Sequence, residues 1–373
     1  MHTADTSTGF SNLGLSAEVL QDIRAAGYTA PTPIQAQAIP PALAGRDVVG
    51  CAQTGTGKTA AFVIPMVERL AGGTGTRGLI LAPTRELALQ IQATIDALGR
   101  RRAVRAATII GGVSMGPQER ALRARTTIIV ATPGRLLDHL DRGTARLDGL
   151  RILVLDEADR MLDMGFAPQL DRILRVVPRV RQTMLFSATI PANVAALARA
   201  HLREPAQVAV GPRATPVAAA AQRLFLAGRD EKTPLLLTLL RRESGRVLIF
   251  TRTKHRADKV ARAVGAAGHR VARIHGNRSQ AQRQDALAGF RTGAYRVMVA
   301  TDIAARGIDV PGVAQVINYD LPATYEDYVH RVGRTARAQA SGLASSLVAP
   351  DERDQLRTIE RMLGAPVPRG TVS

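Results

Sequence analysis

The 373-residue sequence has no tryptophan, and its five tyrosines and seven phenylalanines are its only aromatic residues. So few aromatics argue against a surface that stacks several bases, and any contact with nucleic acid should be made to the backbone. Cys51 is the single cysteine, which excludes a disulfide framework and a cysteine zinc site. No apolar run reaches the roughly 18 residues of a membrane span, and the polar N-terminus does not resemble a signal peptide. We therefore expect a cytoplasmic protein with no membrane partner.

Lysine is also scarce, since only four of the 50 basic residues are lysines. With 31 acidic residues the formal charge is +19, and residues 211–373 (26 basic, 14 acidic) are more basic than residues 1–210 (24 basic, 17 acidic). Clustered arginine binds polyanions by releasing counterions, so a nucleic-acid partner is one interpretation. A GC-rich genome, which raises arginine and alanine together, is the alternative.

Short apolar runs alternate with longer stretches of helical period in two series. Runs that are apolar throughout are typical of strands covered on both faces, and their alternation with helices predicts doubly wound parallel sheets. We therefore predict an α/β protein of two domains over residues 1–210 and 220–373, joined by a Gly- and Pro-containing linker over 211–219. A capped amphipathic helix is predicted over 351–363. The runs lie at 47–51, 78–82, 127–131, 152–155 and 183–186, then at 246–250, 271–274, 296–300 and 313–318.

A glycine-rich stretch separates the predicted strand 48–51 from a predicted helix over 59–70. Residues 52–59 read Ala-Gln-Thr-Gly-Thr-Gly-Lys-Thr, which matches the phosphate-loop pattern except for alanine at its first glycine. In such a loop, backbone N–H groups and the helix N-terminus bind phosphate, Lys58 reaches the β- and γ-phosphates, and the Thr59 hydroxyl coordinates Mg²⁺. An incidental glycine-rich turn is the less favoured alternative. The predicted phosphate ligands are Thr54, Gly55, Thr56, Gly57, Lys58 and Thr59.

Two adjacent carboxylates follow the apolar run 152–155. Asp156 falls at the tip of the predicted strand, where it can hold Mg²⁺ directly or through water. Glu157 is then placed to orient and deprotonate the water that attacks the γ-phosphate. Acids after a strand also occur simply as the first residues of a helix. The phosphate loop upstream favours hydrolysis of a nucleoside triphosphate over that alternative.

Residues 156–159 spell D-E-A-D, and the chain resembles the DEAD-box RNA helicases, most closely the bacterial RhlE-type members. The match covers almost the whole chain, with the family's motifs in order. It implies two RecA-like domains, ATP and Mg²⁺ as cofactors, and RNA-dependent ATP hydrolysis that opens short RNA duplexes locally or remodels RNA–protein complexes. It also implies catalytic roles for Lys58, Asp156 and Glu157.

Residues 27–35 look like the family's Q motif, preceded by Phe10 at the expected distance. A glutamine amide can donate to and accept from the edge of adenine, which the edge of guanine cannot satisfy. The resemblance therefore implies that Gln35 selects ATP, that Tyr28 stacks on the base, and that Phe10 belongs to the same ATP site. Without Gln35 beside it, a packing role for Tyr28 would be favoured.

Three segments of the first domain look like the family's RNA-facing motifs, and each follows a predicted strand. Arginine can bind phosphate through two hydrogen bonds, a threonine hydroxyl can donate, and glycine permits close backbone approach. Helix caps and surface arginines are the alternatives for each segment taken alone. The predicted RNA contacts are Arg85, Gly112, Thr132, Pro133 and Arg135.

The S-A-T motif at 187–189 implies that Ser187 and Thr189 hydrogen-bond the D-E-A-D loop and couple hydrolysis to strand separation. A helix N-cap is the alternative for Ser187.

In the second domain the resemblance implies RNA contacts by Arg252, Arg283 and Thr301, and a contact of Asp309 with the ribose of ATP. Residues 330–337 look like motif VI. Arg334 and Arg337 lie three apart, so a helical turn would place both on one face. The resemblance implies that both reach the γ-phosphate as arginine fingers and that His330 has a coupling role; a solvated basic helix face is the alternative. Ala336 and Gln339 stand where the family usually has glycine.

The implied partner is RNA, single-stranded or as a short duplex, bound with little sequence preference by a monomer. Ribosomal or RNA-decay proteins are the implied protein partners. Two other functions stay open, namely an RNA clamp that binds ATP but unwinds little, and a DNA-directed helicase or translocase.

Overall fold

The computed structural model describes residues 9–53, 55–124, 126–210, 220–305, 312–335 and 342–371, without the side chains of residues 303 and 326. The chain divides into two units, Met1–Gly211 and Pro212–Ser373. The predicted linker over 211–219 lies outside the described residues. Among the described helices, none is both long enough and apolar enough to cross a membrane.

Unit 1 contains a seven-stranded sheet in which every pairing is parallel. Its strands are β1 (Val48–Cys51), β2 (Gly78–Leu81), β3 (Ala106–Ile109), β4 (Ile128–Ala131), β5 (Ile152–Leu155), β6 (Gln182–Ser187) and β7 (Ala206–Ala209). Their order across the sheet is β3-β4-β2-β5-β6-β1-β7. The helices are a 3-10 helix Phe10–Leu13, then α1 (Ala17–Ala25), α2 (Pro33–Leu43), α3 (Lys58–Leu70), α4 (Arg85–Leu98), α5 (Met115–Arg123), α6 (Pro133–Asp141), α7 (Ala158–Asp163), α8 (Ala167–Val176) and α9 (Ala192–His201).

Unit 2 contains a six-stranded sheet, also with parallel pairings throughout. Its strands are β8 (Ala220–Leu226), β9 (Arg246–Thr251), β10 (Val271–Ile274), β11 (Val297–Thr301), β12 (Val313–Asn318) and β13 (Gly342–Val348), in the order β10-β11-β9-β12-β13-β8. The helices are α10 (Lys232–Arg242), α11 (Lys254–Ala266), α12 (Gln280–Thr292), α13 (Asp302–Ala305), α14 (Tyr325–Val332), a 3-10 turn Pro350–Glu352 and α15 (Arg353–Leu363). The predicted fold class is confirmed.

The apolar runs become strands that are buried on both faces. In β5, Leu153 and Leu155 pack into one hydrophobic cluster of unit 1, whereas Ile152 and Val154 pack into the cluster on the other side of the sheet. Because successive side chains of a strand point to opposite faces, an entirely apolar run is what a sheet covered by two helical layers requires. Each such side chain contributes about 1.5–3 kcal/mol relative to full exposure.

Four strands, β3, β7, β8 and β13, are absent from the two predicted series of apolar runs, although β3 overlaps residues 108–110, the strand predicted to precede Gly112. In β13 the buried positions include Ser345 and Ser346, which are not apolar. Their hydroxyls accept hydrogen bonds from the side chains of Gln315 (2.8 Å) and Asn318 (3.1 Å) on neighbouring β12. Because β13 is stabilised in part by hydrogen bonds between buried polar side chains, its sequence is not a continuous apolar run and does not predict a buried strand.

The two sheets share one topology. Read from the outer edge, β3-β4-β2-β5-β6-β1 of unit 1 corresponds in chain order to β10-β11-β9-β12-β13-β8 of unit 2. In a parallel sheet all carboxyl ends lie at one edge, and open α/β sheets bind their ligands there. Each loop at the carboxyl edge of one unit therefore has a counterpart in the other.

The predicted C-terminal helix begins at Arg353, two residues later than expected, after the 3-10 turn Pro350–Glu352, and Gly364 ends it with φ +75°. Glu352 is buried and its Oε2 accepts from Lys232 Nζ over 2.6 Å. Lys232 also donates to the carbonyl oxygen of Tyr319 over 2.8 Å. Lys232 is the first residue of α10, the helix after β8, just as Lys58 is the first residue of α3, the helix after β1. The buried Lys232–Glu352 pair therefore fills the position in unit 2 that matches the phosphate loop.

Candidate functional site

The predicted phosphate loop connects β1 to α3. Gly57 precedes α3 with φ +93°, a left-handed conformation that favours glycine. Lys58 is the first residue of the helix and is buried, and its Nζ donates to the carbonyl oxygen of Ala52 over 2.5 Å. The Lys58 ammonium therefore lies inside the loop, although alanine replaces the first glycine of the pattern. Gly55, with φ +86°, and Thr56 lie in the same turn, and Thr59 is the second residue of α3, whereas Thr54 lies outside the described residues.

Gln35 contacts this loop directly, which the sequence did not predict. Its side chain is buried, and its Nε2 donates to the carbonyl oxygen of Gly57 over 3.1 Å. Its Oε1 accepts from the backbone N–H of Thr32 over 2.9 Å. A primary amide has two hydrogens and two lone pairs, so one donor and one acceptor position remain for a base. The predicted adenine-reading residue and the predicted phosphate loop are thus joined by a hydrogen bond.

Phe10 and Tyr28 pack edge to face, with ring centroids 6.4 Å apart. Phe10 is buried in the hydrophobic cluster, whereas Tyr28 is half-buried and burial raises its pKa. Phe10 therefore supports the ring of Tyr28, and it is Tyr28 that keeps exposed surface for contact with a base.

The acidic pair lies at the carboxyl end of β5. Asp156 and Glu157 are both buried, and Glu157 has φ +50°, an uncommon backbone conformation for a residue other than glycine. Burial, followed by the charge of Glu157, raises the pKa of Asp156 to about 7, and the charge of Lys58 opposes the shift. Arg160 Nη1 donates to Glu157 Oε2 over 2.7 Å in an ion pair whose side chains are 3% and 5% exposed. This arginine was not among the site residues predicted from the sequence.

The donor set fits Mg²⁺. No group of three or more His, Cys, Asp or Glu side chains that could hold a metal occurs in the described ranges. Mg²⁺ in nucleotide sites is typically held by one or two protein oxygens together with phosphates and water. The buried Asp156 carboxylate, unfavourable without a counter-charge, and the Thr59 hydroxyl are the candidate ligands of this kind.

Asp159 links the D-E-A-D loop to the S-A-T segment after β6. Its Oδ2 accepts from the backbone N–H groups of Ala188 (3.2 Å) and Thr189 (2.9 Å) and from Thr189 Oγ1 (2.9 Å). Its own N–H donates to Ser187 Oγ over 3.2 Å. The hydrogen bonds expected of Ser187 and Thr189 are therefore present, and Asp159 is the residue that receives most of them. Coupling remains a predicted role.

The predicted RNA residues of unit 1 gather at the carboxyl ends of its three outermost strands. Arg85 begins α4 after β2, and its guanidinium lies so close to Gly112, after β3, that a Cβ there would stand 2.0 Å from Nη1. Arg135 in α6, after β4, donates from Nη1 to the carbonyl oxygen of Val113 over 2.8 Å. Thr132 caps α6 and its N–H donates to Ile109. Buried Pro133 opens the same helix, so it shapes the turn.

In unit 2 the counterpart of Arg85 is Lys254, which the sequence analysis missed. Thr84 and Thr253 are both helix N-caps whose side chains accept from the third helical residue, and each is followed by a cation, Arg85 or Lys254. Lys254 Nζ donates to Asn277 Oδ1 over 3.1 Å. Ile109 and Ile274 end β3 and β10, five residues before the caps Ser114 and Ser279, so Asn277 occupies the position of Gly112. This correspondence could have been found in the sequence, because a threonine followed by a basic residue occurs after the corresponding strand of each unit.

The structure adds a contact within unit 2 for Arg283. It is buried, and its Nη1 lies 3.5 Å from the carbonyl oxygen of His275. Gln118, at the corresponding position of α5, donates to the carbonyl oxygen of Ile110, which corresponds to His275. Both side chains brace the loop before their own helix. Arg283 thus contacts the loop before α12, and its direct contact with RNA stays a prediction.

Arg252 is directed toward the C-terminal helix. Its Nη2 donates to Gln355 Oε1 over 3.2 Å and lies 3.4 Å from Glu352 Oε1, and its backbone N–H donates to Asp320 Oδ2 over 2.8 Å. Thr301 ends β11 at the position that Thr132 occupies after β4, and it is half-buried. Within unit 2, Thr301 thus matches the RNA-facing pattern of unit 1 more closely than Arg252 does.

The helical placement of motif VI is wrong for Arg334. Helix α14 ends at Val332, and Arg334 lies in the turn that follows, where its N–H donates to the carbonyl oxygen of Arg331 over 3.0 Å. Arg334 is buried and His330 is half-buried. Gly333 is the C-cap of α14, and its N–H donates to the carbonyl oxygen of Val329 over 2.9 Å. Arg337, Asp309, Ala336 and Gln339 lie outside the described residues.

Arg331, to which the sequence analysis gave no role, is the largest fully buried side chain among the described residues. Its Nε and Nη2 donate to the two carboxylate oxygens of Asp302, over 2.6 and 2.7 Å. Nη1 donates to Asn318 Oδ1 and to the carbonyl oxygen of Asp320, and the guanidinium lies 5.0 Å from the centre of the Phe250 ring. Arg331 therefore joins the carboxyl ends of β9, β11 and β12.

Comparison with known proteins agrees with this geometry. Residues 32–197 match the family described as DEAD/DEAH box helicase, and residues 231–339 match the helicase conserved C-terminal domain. The ATP-dependent rRNA helicase RRP3 of Debaryomyces hansenii is 44% identical over 363 residues, which cover 96% of this chain and 76% of that protein. The DEAD-box ATP-dependent RNA helicase CshA of Geobacillus kaustophilus is 44% identical over 356 residues, covering 95% and 76%.

Among solved structures, Dbp5 of S. cerevisiae bound to RNA and ADP BeF3 matches with a TM-score of 0.88 at 32% identity, covering 98% of this chain and 96% of that chain. Two consecutive family matches and relatives aligned over nearly the whole chain lead to one assignment. The chain belongs to the DEAD/DEAH box helicase family.

Proposed function

We propose that this chain is an RNA-dependent ATPase that opens short RNA duplexes or remodels RNA–protein complexes. The observation that carries the proposal is the division of the carboxyl edge of the unit 1 sheet. Its β1, β5 and β6 end in the phosphate loop, the acidic pair and the S-A-T segment, whereas β2, β3 and β4 end in Arg85, Gly112, Thr132 and Arg135. A site for nucleotide hydrolysis therefore adjoins a surface able to bind a phosphate backbone.

Each residue has a part in this chemistry. Lys58 and the N–H groups of the loop bind the phosphates, and Gln35 with Tyr28 binds the base. Glu157, fixed by its backbone conformation and by Arg160, orients the attacking water and accepts its proton. Mg²⁺, when bound, would neutralise phosphate charge. Arg334 and Arg337 are proposed as the fingers, a contribution worth roughly 10³–10⁵ in rate in related hydrolases.

An ATPase assay with RNA, with DNA and with neither tests the proposal. We expect RNA, and not DNA, to stimulate ATP hydrolysis. The rate of RNA-stimulated hydrolysis should fall by at least about 10²-fold in Lys58→Ala and Glu157→Gln. Exposed Asp148→Asn, which lies away from these loops, should match the wild type. Hydrolysis that ignores RNA would contradict the proposal, and equal stimulation by DNA would favour a DNA-directed translocase.

Strand displacement on a short RNA duplex separates a helicase from a clamp. A helicase opens the duplex with ATP and fails in Glu157→Gln, because the reset of the cycle requires hydrolysis. A clamp would bind RNA tightly with ATP in both proteins and displace no strand in either.

The finer assignments are part of the same proposal. Kinship with the bacterial RhlE-type members is proposed from the resemblance of the motifs alone, and the relatives compared above are named RRP3 and CshA. An RNA-rich compartment such as the cytoplasm is the proposed location, and a monomer the proposed state. The relative named as an rRNA helicase supports a search for ribosomal RNA and ribosomal or RNA-decay proteins among the partners.

A further inference from the structure

A groove runs along the outer edge of the unit 2 sheet, where β10 is the outermost strand. Its larger part has a volume of about 510 Å³, and an adjoining part has about 310 Å³. Arg262, Arg273 and Arg278 line both parts, so the two form one continuous groove between α11 and α12. We call it the β10 groove.

The charges of the β10 groove favour an anionic ligand. Its lining contains four cations, Lys259, Arg262, Arg273 and Arg278, and two acids. One acid, Asp258, is already paired through its Oδ1 with Arg273 Nε and His275 Nε2, both at 3.1 Å. Within the described chain Lys259 and Arg262 form no ion pair, and both are exposed. With four cations against the two acids Asp258 and Asp285, the groove has an excess of positive charge.

Polar groups at the mouth of the groove lack partners as well. His275 is 2% exposed, and its Nδ1 has no hydrogen-bond partner, although its Nε2 contacts Asp258. The Nε of Arg278, three residues later, is likewise buried without a partner. Buried polar atoms in folded proteins are normally paired, so these two atoms indicate a place where a hydrogen-bonding ligand or water completes the structure.

The position of the mouth identifies the class of ligand. Residues 275–279 form the loop after β10, which corresponds to the Gly111-Gly112 loop after β3. The neighbouring strand β11 ends in Thr301, and Lys254 contacts Asn277 in this loop. The groove therefore opens where the RNA-facing edge of unit 2 ends, one strand beyond Thr301.

Its direction follows from α11. His255, Lys259 and Arg262 are spaced four and three residues apart, so they lie on one face of the helix and span about 10 Å of its length. That face runs alongside the strands, from the end of the sheet where their carboxyl termini lie toward the end where their amino termini lie. We propose that the β10 groove binds the phosphates of an RNA strand that continues past the segment held at the carboxyl edge.

This inference rests on the proposed function, since it extends the RNA path of the same machine. An exposed sheet edge can also accept an acidic peptide as an added strand. The RNA is favoured because the cations are carried by side chains of α11 and of the loop at the mouth, in line with the RNA-facing edge.

The test is equilibrium binding of an oligouridylate series of increasing length to the full chain, with extensions at the 5′ or the 3′ end. The variant is Lys259→Ala with Arg262→Ala, and the matched control is Arg353→Ala with Arg361→Ala on exposed positions of α15 in the same unit. All four changes place alanine in a helix and each pair removes two charges. Thermal unfolding of both proteins reports whether the fold is kept.

We expect the wild type and the control to bind longer oligouridylates more tightly than short ones. The increase in affinity with length should be smaller by about tenfold or more in the groove variant. Its affinity for the shortest oligonucleotide should stay within about twofold of the wild-type value. Its salt slope on long RNA should fall by about 1.4, since each phosphate contact to a single strand contributes about 0.7.

A groove variant that keeps the full gain with length, or that loses no more than the control, would overturn the proposal. So would binding of a polyglutamate peptide to the groove that long RNA does not displace. Because binding is measured without hydrolysis, failure of the groove is distinguishable from failure of the proposed function, which would instead appear as hydrolysis indifferent to the shortest RNA.

Discussion

The side-chain amide of Gln35 and the carbonyl oxygen of Gly57 are joined by a hydrogen bond of 3.1 Å. Gln35 is in helix α2 and Gly57 immediately precedes α3, so the bond connects the residue expected to read the base with the loop expected to hold the phosphates. A Cβ on Gly57 would stand 2.4 Å from Gln35 Nε2. Glycine is therefore needed here for contact distance as well as for backbone conformation.

Replacing Gly57 with alanine should disrupt both the backbone conformation of the loop and the contact with Gln35. The left-handed backbone costs an alanine about 1 kcal/mol, and the new methyl must displace the Gln35 amide. We expect kcat/KM for ATP to fall by roughly 10-fold or more, with a weaker preference for ATP over GTP. Gly116→Ala, whose Cβ meets nothing closer than 3.7 Å, is the control and should retain both properties. An unchanged ATP preference in Gly57→Ala would show that the Gln35 bond to this loop is irrelevant to base selection.

Thr189→Ala should reduce duplex opening more than ATP hydrolysis. The change removes one hydrogen bond to the Asp159 carboxylate but leaves the two backbone bonds, a loss of about 1.5–3 kcal/mol for a bond to a charged group. The measurement is the number of strands displaced per ATP hydrolysed. Thr189→Ser keeps the hydroxyl and should restore the ratio. Equal losses of opening and hydrolysis in Thr189→Ala would argue that Thr189 supports catalysis and not coupling.

Lys254→Ala and Arg283→Ala should affect different properties, the first RNA affinity and the second thermal stability. Lys254 is exposed, so its loss should weaken RNA binding about 10-fold and lower the salt slope by about 0.7, with little change in melting temperature. Arg283 is buried and braces the loop, so its loss should lower the melting temperature by roughly 4 °C or more. Thermal unfolding and RNA titration on both variants give the comparison. An Arg283→Ala protein of normal stability that had lost RNA affinity would restore the direct-contact interpretation.

Asp156→Asn should stabilise the protein when Mg²⁺ and nucleotide are removed. Burial raises the pKa of Asp156 to about 7, above that of a carboxyl in the unfolded chain. The folded state therefore holds this proton more tightly, and the stability it contributes at acid pH is lost as pH rises from about 4 through about 7. The melting temperature of the variant should exceed that of the wild type by roughly 2–4 °C at alkaline pH, and the difference should shrink toward acid pH. Asp148→Asn, on an exposed side chain, should show no such trend, and a pH-independent difference in Asp156→Asn would contradict the burial argument.

Much of the fold and of the ATP site could be predicted from the sequence, because both depend on local patterns. Strands such as Ile152–Leu155 are continuous apolar runs, and the phosphate loop and D-E-A-D are contiguous residues whose order sets their geometry. The positions of the phosphate loop and of D-E-A-D could be predicted because each comes directly after an apolar run that forms a strand.

The rest depended on partners that are distant in the chain. The burial of Arg283 and the position of Lys254 become visible only when the loop after β10 is compared with the loop after β3, because no local pattern states which cation faces outward. Arg331 reads as one basic residue of a basic motif, yet Asp302, 29 residues away, and Phe250 determine its position. The end of α14 at Val332, which places Arg334 outside the helix, is not marked by any local pattern that was recognised in the sequence.

The Lys232–Glu352 pair makes unit 2 a built-in contrast to unit 1. In unit 1 the lysine that opens the first helix after the sheet points into a glycine-rich loop; in unit 2 the equivalent lysine is neutralised by a carboxylate from the chain's own C-terminal segment. The Glu352 carboxylate that pairs with Lys232 has 7% of its side chain exposed. Lys232 is thus already neutralised within unit 2, so it is not available to bind a phosphate in the way expected of Lys58.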